Sequence, residues 1–469
     1  MIKANKIHVL MIALGAILVS GPAHSASLLE IYQQALQSDP QIHEAEARRL
    51  AALEAKPQAR GVLMPQIQAT GDWTQSNSSG STFQFAINDT TTFDRKSDGT
   101  NWQVSLRQTL FRWDQIVNLK RADKTVAKAE ANRESAQQDL IVRVAQRYFD
   151  VLAAEDRLTS RNANREAITR QLEQAKQRFE VGLIAITDVQ ESQAAYDHSV
   201  ADEIGAKRSL ATSREFLREI TGEYISDLSA PADNFPLLNP ENSEKSWVDL
   251  ALKQNLNLVA SRLDEKLARD EISFRRNGHY PTIDLVASAG ESKGDEINRF
   301  GTFLPNSTES QSDRDSIGIQ FSVPLFSGGS TSSRVKEAVY LHRASREQLQ
   351  RVTRETERRA RDAYLGVLSE ISRVRALHQA VQSSRTALQA TQAGYEVGTR
   401  TIVEVLNSQF SLYAAITNHY QSRYDYIMNA LRLKQAAGTL QVQDLEQIDQ
   451  WLKDRPSSEE AAATRTQGS

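Results

Sequence analysis

The chain has 469 residues, with 56 basic and 59 acidic side chains for a net charge of −3, no cysteine, and a mean hydropathy of −0.50. Absence of cysteine excludes disulfides, thiolate catalysis, cysteine-bound zinc and a thiol that could carry an N-terminal lipid, and the balanced charge lacks the footprint of a nucleic-acid binder. Beyond the leader no apolar run is long enough for a membrane helix, which excludes a helical membrane protein but not a β-barrel, whose alternating strands barely register in hydropathy.

The first residues, MIKANKIHVLMIALGAILVSGPAHSAS, carry Lys3 and Lys6, then a short apolar stretch, then small residues at Ala23 and Ser25. This is the grammar of an export signal over residues 1–25, cleaved after Ser25. A helix is expected from Leu28 to about Gly61. Alternating segments follow at Ile67 to Thr74 and Trp102 to Phe111, separated by NSSGSTFQFAINDTTTFDRKSDGT, which reads as a solvent-exposed loop. No glycine interrupts Asp114 to Val181 and no proline lies between Pro65 and Pro231. A helix of about 65 residues would reach roughly 95–100 Å at 1.5 Å per residue. Gly182 breaks it, and a helix of about 35 residues runs back.

Residues 222–246, with Pro231, Pro236 and Pro240, form an irregular linker, and the same order of elements then recurs. A helix is expected from Trp247 to about Asn277. Ile283, Leu285, Ala287 and Ala289 alternate with Asp284, Val286 and Ser288. After the polar stretch SKGDEINRFGTFLPNSTESQSDRD comes the cleanest period-2 run, with Ile317, Ile319, Phe321, Val323 and Leu325 on one face. The second long helix has only Gly366 between Ser330 and Ala393. After the break at Gly398, Ile402, Val405, Leu412, Ile416, Tyr420, Tyr424, Ile427 and Leu431 trace a coiled-coil-like seam. Residues 439–469 end in KDRPSSEEAAATRTQGS, whose composition is that of a disordered tail.

The recurrence has a fixed offset. YEVGTRTIVEVLNSQ, from Tyr395, echoes FEVGLIAITDVQESQ, from Phe179, 216 positions earlier (395 − 179). At the same offset Pro65 falls on Pro281, Tyr148 on Tyr364, Gly222 on Gly438 and Ala35 on Ala251. The chain therefore consists of two equivalent halves, 26–221 and 247–438, and the echoed phrase is a helical hairpin tip made once in each.

Four strands bury little alone and leave two open edges, and four cannot close a membrane barrel. Several chains must each contribute four; three would give about twelve strands, enough to enclose a lumen, above twelve long helices. Trp73, Trp102, Phe111, Trp113, Tyr280 and Phe326 cluster near the strand ends, as in an interfacial girdle or in ordinary core packing.

In QRFEVGLIAITDVQESQAAYD, AGYEVGTRTIVEVL, IYQQALQSDPQI, PTIDLVAS and VPLFSGG, and in its two halves, the chain resembles the non-acylated branch of the TolC family of outer-membrane efflux proteins, from about Leu28 to about Leu440. The resemblance implies a mainly helical fold with a membrane β-barrel: a homotrimer whose chains each give four strands to a twelve-stranded barrel in outer-membrane lipid and long coiled-coil helices to a periplasmic α-barrel. It implies no cofactor and no catalysis, and partnership with a periplasmic adaptor (a membrane fusion protein) and an inner-membrane RND, ABC or MFS transporter, exporting drugs, small molecules or proteins from a Gram-negative cell. Tyr395 and Arg400 match the family's gate donors, with Thr187 and Asp188 as their partners; the other reading is a set of solvated tip charges. Glu404 and Asn407 match the positions of constriction rings, only one of them acidic here. Val181, Gly182, Leu183, Val397, Gly398 and Thr399 match the adaptor-binding tip, where the glycines also break the helix.

Two rivals remain. A periplasmic coiled-coil scaffold or adaptor would need a lipoyl-like or small β domain flanking a single hairpin, whereas two hairpins are present. A secreted enzyme would need a catalytic constellation, and neither H-E-x-x-H, G-x-S-x-G nor a P-loop occurs.

Overall fold

A computed structural model describes residues 25–85, 88–232, 235–300 and 305–453. The expected export signal and the C-terminal tail lie outside the described residues.

The first expected helix is three helices, α1 (Leu28–Ser38), α2 (Pro40–Leu53) and α3 (Ala55–Gly61). Asp39 interrupts it in an extended conformation and accepts from Gln41 N–H at 3.4 Å, while Pro40 fills the first helical position, where its missing N–H costs nothing. The strands β1 (Gln66–Gln84) and β2 (Asp89–Phe111) lead to α4 (Trp113–Glu180) and α5 (Ile186–Thr221). A short strand, β3 (Ala230–Pro231), precedes the second half: α6 (Glu244–Gln254), α7 (Leu256–Arg275), a 3-10 turn at Arg276–His279, β4 (Thr282–Phe300), β5 (Asn306–Ser322), α8 (Ser330–Glu396) and α9 (Ile402–Ala437). Here too one expected helix is two. The break falls at Asn255, whose side chain caps α7 by accepting from Leu258 N–H at 3.0 Å, and Asn255 is the residue 216 positions after Asp39 (255 − 39). Last come α10 (Val442–Asp449) and β6 (Leu452–Lys453).

The strands differ most from expectation. They run 19, 23, 19 and 17 residues, far into the polar stretches read as loops. Ladder hydrogen bonds are made by the backbone and do not depend on side-chain hydropathy, so a polar sequence continues a hairpin that an apolar one has begun. At the other end β5 stops at Ser322, which leaves Val323 and Leu325 beyond the sheet.

The sheet order is β1-β2-β4-β5, antiparallel throughout, so the two halves meet at β2 and β4, and β1 and β5 each keep one unpaired edge. Its register sorts the side chains. On one face lie Ile67, Ala69, Gly71 and Trp73, then Leu106, Val104 and Trp102, then Leu285, Ala287 and Ala289, then Ile319 and Ile317. The other face carries Gln68, Thr70, Asp72, Gln103, Ser105, Asp284, Ser288, Ser316 and Gln320. From Ile67 to Trp73 the apolar face extends roughly 20 Å at 3.3 Å per residue, close to the ~25 Å band of a membrane barrel. Aromatic rings mark its rims. Trp102 Nε1 donates to Glu291 at 3.2 Å at one rim, and the Trp113 and Tyr280 rings lie 5.9 Å apart at the other.

The core is a belt at mid-height of the long helices. Leu28, Ile31 and Tyr32 of α1 pack with Leu140 to Leu152 of α4, Tyr424 to Leu433 of α9 and Leu445 and Ile448 of α10. Phe149 stacks on Tyr424 with ring centroids 5.5 Å apart, and each such buried side chain contributes about 1.5–3 kcal/mol. The Tyr148 hydroxyl, fully buried, donates to Ser229 O at 2.6 Å, tying the linker to α4. The seam expected on α9 is present: Ile402, Val405, Leu412, Tyr424, Ile427 and Leu431 are buried, with Ile416 and Tyr420 packed beside them. At the end of α9, Gly438 adopts φ +77°, and Asn255 Nδ2 donates to Ala436 O at 3.0 Å, so α7 starts where α9 stops and continues the column.

Candidate functional site: the paired hairpin tips

Both hairpins turn by the same backbone device. At the end of α4, Leu183 N–H donates to Arg178 O at 2.8 Å and Gly182 takes φ +75°. At the end of α8, Thr399 N–H donates to Gly394 O at 2.8 Å and Gly398 takes φ +79°. This is the closure in which a left-handed residue after the last helical turn lets the chain bond back across it, and glycine does so without Cβ strain. Val181, Leu183 and Val397 stand exposed around these turns, with Gly182, Gly398 and Thr399 exposed beside them.

The exits from the turns differ. No side chain caps the N-terminus of α5 at Ala185. Thr401 caps α9 in a capping box: its Oγ1 accepts from Glu404 N–H at 3.3 Å, and Glu404 Oε2 accepts from Thr401 N–H at 2.8 Å. Glu404 Oε1 accepts from Arg400 at 2.6 Å. The Thr401 N–H, and next the Arg400 guanidinium, hold the Glu404 carboxyl below its ordinary range.

The geometry brings together only some of the residues singled out by sequence. Arg400 is engaged with Glu404 one helical turn away, and among the described residues of one chain neither Arg400 nor Tyr395 bonds to Asp188 or Thr187. The Tyr395 hydroxyl is buried without a partner, with the Arg178 guanidinium 5.2 Å from its ring centroid. Thr187 is exposed and Asp188 half-buried at the start of α5. Asn407 is exposed one turn beyond Glu404 on α9.

Three further features lie outside the residues singled out by sequence. Arg178 joins the two tips through the Tyr395 face. Gly394 leaves room for Arg400, since a Cβ there would lie 2.7 Å from Arg400 Cγ; its place two residues from the conspicuous Glu-Val-Gly could have flagged it. Higher in the seam Gln409, 2 % exposed, donates to buried Asn164 of α4 at 3.3 Å. A polar residue in line with Val405 and Leu412 was the available signal.

A profile of outer membrane efflux proteins matches residues 31–223 and again residues 247–439, one match for each hairpin. The chain belongs to that family. As an outer membrane efflux protein it is an exit duct in the outer membrane that extends into the periplasm. It is 38 % identical over 442 residues to the outer membrane protein TolC of Vibrio cholerae, covering 94 % of this chain and 97 % of the relative. TolC of Escherichia coli is 37 % identical over 432 residues, covering 91 % and 85 %. The alkaline protease secretion protein AprF of Pseudomonas aeruginosa is 29 % identical over 443 residues, covering 92 % and 88 %. Among solved structures, VceC of Vibrio cholerae superposes with a TM-score of 0.69 at 20 % identity over 88 % of this chain and 96 % of that one. The CmeC channel of Campylobacter jejuni gives 0.70 at 14 % over 97 % and 99 %; both share the fold. The relatives of this outer membrane efflux protein are channels, not enzymes.

Proposed function

We propose that three copies of the chain close a twelve-stranded barrel, three four-stranded sheets joined β5 to β1, and that the twelve long helices below form a duct through which an inner-membrane transporter exports its cargo. The observation that carries this is the sheet itself: one apolar face, one polar face, and an open edge on each side. Unpaired edges cannot stay in hydrocarbon, where each bare backbone group costs several kcal/mol. Because β1 and β5 run antiparallel, the next copy extends the ladder without reversing its pattern. A polar face turned inward then lines a wet lumen. The duct has no catalytic step of its own, and energy comes from its RND, ABC or MFS partner through the periplasmic adaptor. Cargo ranges from drugs to the secreted proteins that the AprF resemblance suggests.

The hairpin tips are the entrance. Exposed Val181, Leu183 and Val397 around Gly182, Gly398 and Thr399 offer an apolar seat for the adaptor. Tyr395 and Arg400, facing Thr187 and Asp188 of an adjacent hairpin, hold the entrance shut; the buried, unpartnered Tyr395 hydroxyl supports a partner supplied from outside its own hairpin. Glu404 and Asn407 ring the constriction, with Glu404 already paired to Arg400. The mass of the detergent-extracted protein by light scattering tests the assembly. A trimer is expected, and a soluble periplasmic monomer would return the coiled-coil scaffold to first place.

A further inference from the structure

Directly below the apolar band, between the 3-10 turn and the first turns of α8, lies a cavity of about 390 Å³ lined by Arg276, His279, Tyr280, Ser332, Val335 and Lys336. Its basic groups gather around one space. Some nearby cations are matched with carboxylates, Arg121 with Glu271 at 2.7 Å, Lys128 with Asp264 at 2.6 Å, Arg275 with Glu271 at 2.6 Å, and Lys124 with Asp270. Among the described residues the side chains of Arg276, His279 and Lys336 have no carboxylate and no hydrogen-bond partner. Two permanent charges and an imidazole thus line one space without a carboxylate partner.

Its position is equally specific. Tyr280 lies three residues before Ile283, where the apolar face begins, roughly 10 Å below it at 3.3 Å per residue. The headgroup layer adds about 5–8 Å to each side of the hydrocarbon, which sets the cavity at the periplasmic edge of that layer. The Trp113–Tyr280 pair marks the same level, as amphipathic rings do at an interface. Leu325 and Phe326, 93 % and 88 % exposed, precede α8 at that level and present acyl-compatible surface. Lys336 also points outward. Arg361 lies 25 residues further along α8 (361 − 336), about seven turns at 3.6 residues each, and so on the same side. Arg361 reaches Glu244 of belt helix α6 at 3.4 Å, and a belt on the inner side would fill the duct.

We infer that this cavity binds the phosphate of an anionic phospholipid of the periplasmic leaflet, once per chain. The inference rests on the barrel reading above. Arg276 and Lys336 neutralise the phosphodiester, the His279 and Ser332 side chains donate to its free oxygens, and the acyl chains run up past Phe326 and Leu325.

Native mass spectrometry of the detergent-purified assembly, titrated with phosphatidylglycerol, phosphatidylethanolamine or inorganic phosphate, tests it. Three phosphatidylglycerols per trimer are expected, preferred over phosphatidylethanolamine by on the order of tenfold, since each cation near a bilayer surface adds about a factor of five. The variant Arg276→Gln/His279→Gln/Lys336→Gln should lose the preference, and the charge-matched Arg208→Gln/His198→Gln/Lys253→Gln should keep it. Retention by the first variant, or displacement of the lipid by inorganic phosphate, would overturn the lipid site. On the wild-type protein a photoactivatable phosphatidylglycerol should label peptides containing 276–280 and 332–336; labelling confined elsewhere would refute it without any substitution. The same spectra report the assembly. A trimer with no lipid preference strikes only this inference, whereas a monomer strikes the barrel and the lipid site together.

Discussion

Gly222 and Gly438 are equivalent residues in the two halves, both left-handed at the end of a returning helix, with φ +78° and +77°. Replacing each with alanine separates two costs. An L-residue in that conformation loses about 1–2 kcal/mol wherever it stands. At Gly222 little is added, because a Cβ would meet only Ser38 at 3.6 Å, an ordinary contact. At Gly438 it would lie 2.4 Å from Gln254 O, 2.7 Å from the same carbonyl carbon and 3.0 Å from Asn255 Cα. Backbone cannot rotate away as a side chain can, so α9 and α7 must part, at an overpacking cost of about 1–3 kcal/mol. The expected losses are therefore about 1–2 kcal/mol for Gly222→Ala and about 2–5 kcal/mol for Gly438→Ala. Thermal unfolding by circular dichroism in one detergent, at one scan rate because unfolding of such assemblies is irreversible, ranks the variants. Equal losses at the two sites would refute the claim that the α9–α7 junction is held by contact with the Gln254 carbonyl.

Three other substitutions probe the entrance and the belt. Tyr395→Phe with Arg400→Ser should raise the conductance of the closed protein in planar bilayers; an unchanged value removes both residues from the gate. Glu404 has a depressed carboxyl pKa, so its cap and ion pair are fully present above its ordinary value of 4.5 and are lost only as pH falls through the lowered one. Cation selectivity should accordingly stay flat from about pH 7 to about pH 5 and change only in stronger acid, a response Glu404→Gln should abolish; titration near pH 6 would contradict the assignment. Asp39 is buried, pairs with Arg143 and caps α2, so Asp39→Ala should cost about 2–4 kcal/mol, and Asp39→Asn, which keeps a cap acceptor, should cost less in the same unfolding assay.

Much of the architecture was legible because the two halves check each other. Gly182 and Gly398, read as breaks, have the same φ to within a few degrees, as do Gly222 and Gly438. The interruptions at Asp39 and Asn255 were written in the sequence as an Asp-Pro pair and an aligned Asn, but apolar periodicity ran through them and masked the caps. Strand length was not legible, because ladder bonds between Thr74–Gln84 and Asp89–Gly99 leave no side-chain signature. At the tips the i,i+4 spacing of Arg400 and Glu404 was visible, yet matching to family positions directed Arg400 toward Asp188. The Tyr395 hydroxyl, buried without a partner among the described residues, had no sequence signal of its own.

The 216-residue echo also bears on symmetry. A ring of three chains presents six hairpin tips of one backbone shape, since the turns at Gly182 and Gly398 are superposable in their hydrogen bonds. Chemically, however, the tips are of two kinds. Phe179, Ile184, Asp188 and Glu191 on one occupy the places of Tyr395, Arg400, Glu404 and Asn407 on the other. A half-length chain would need six copies to close the same circle, and all six would carry identical tips. Fusing two halves keeps the sixfold frame but makes the throat threefold, so the two kinds of tip are free to take different tasks.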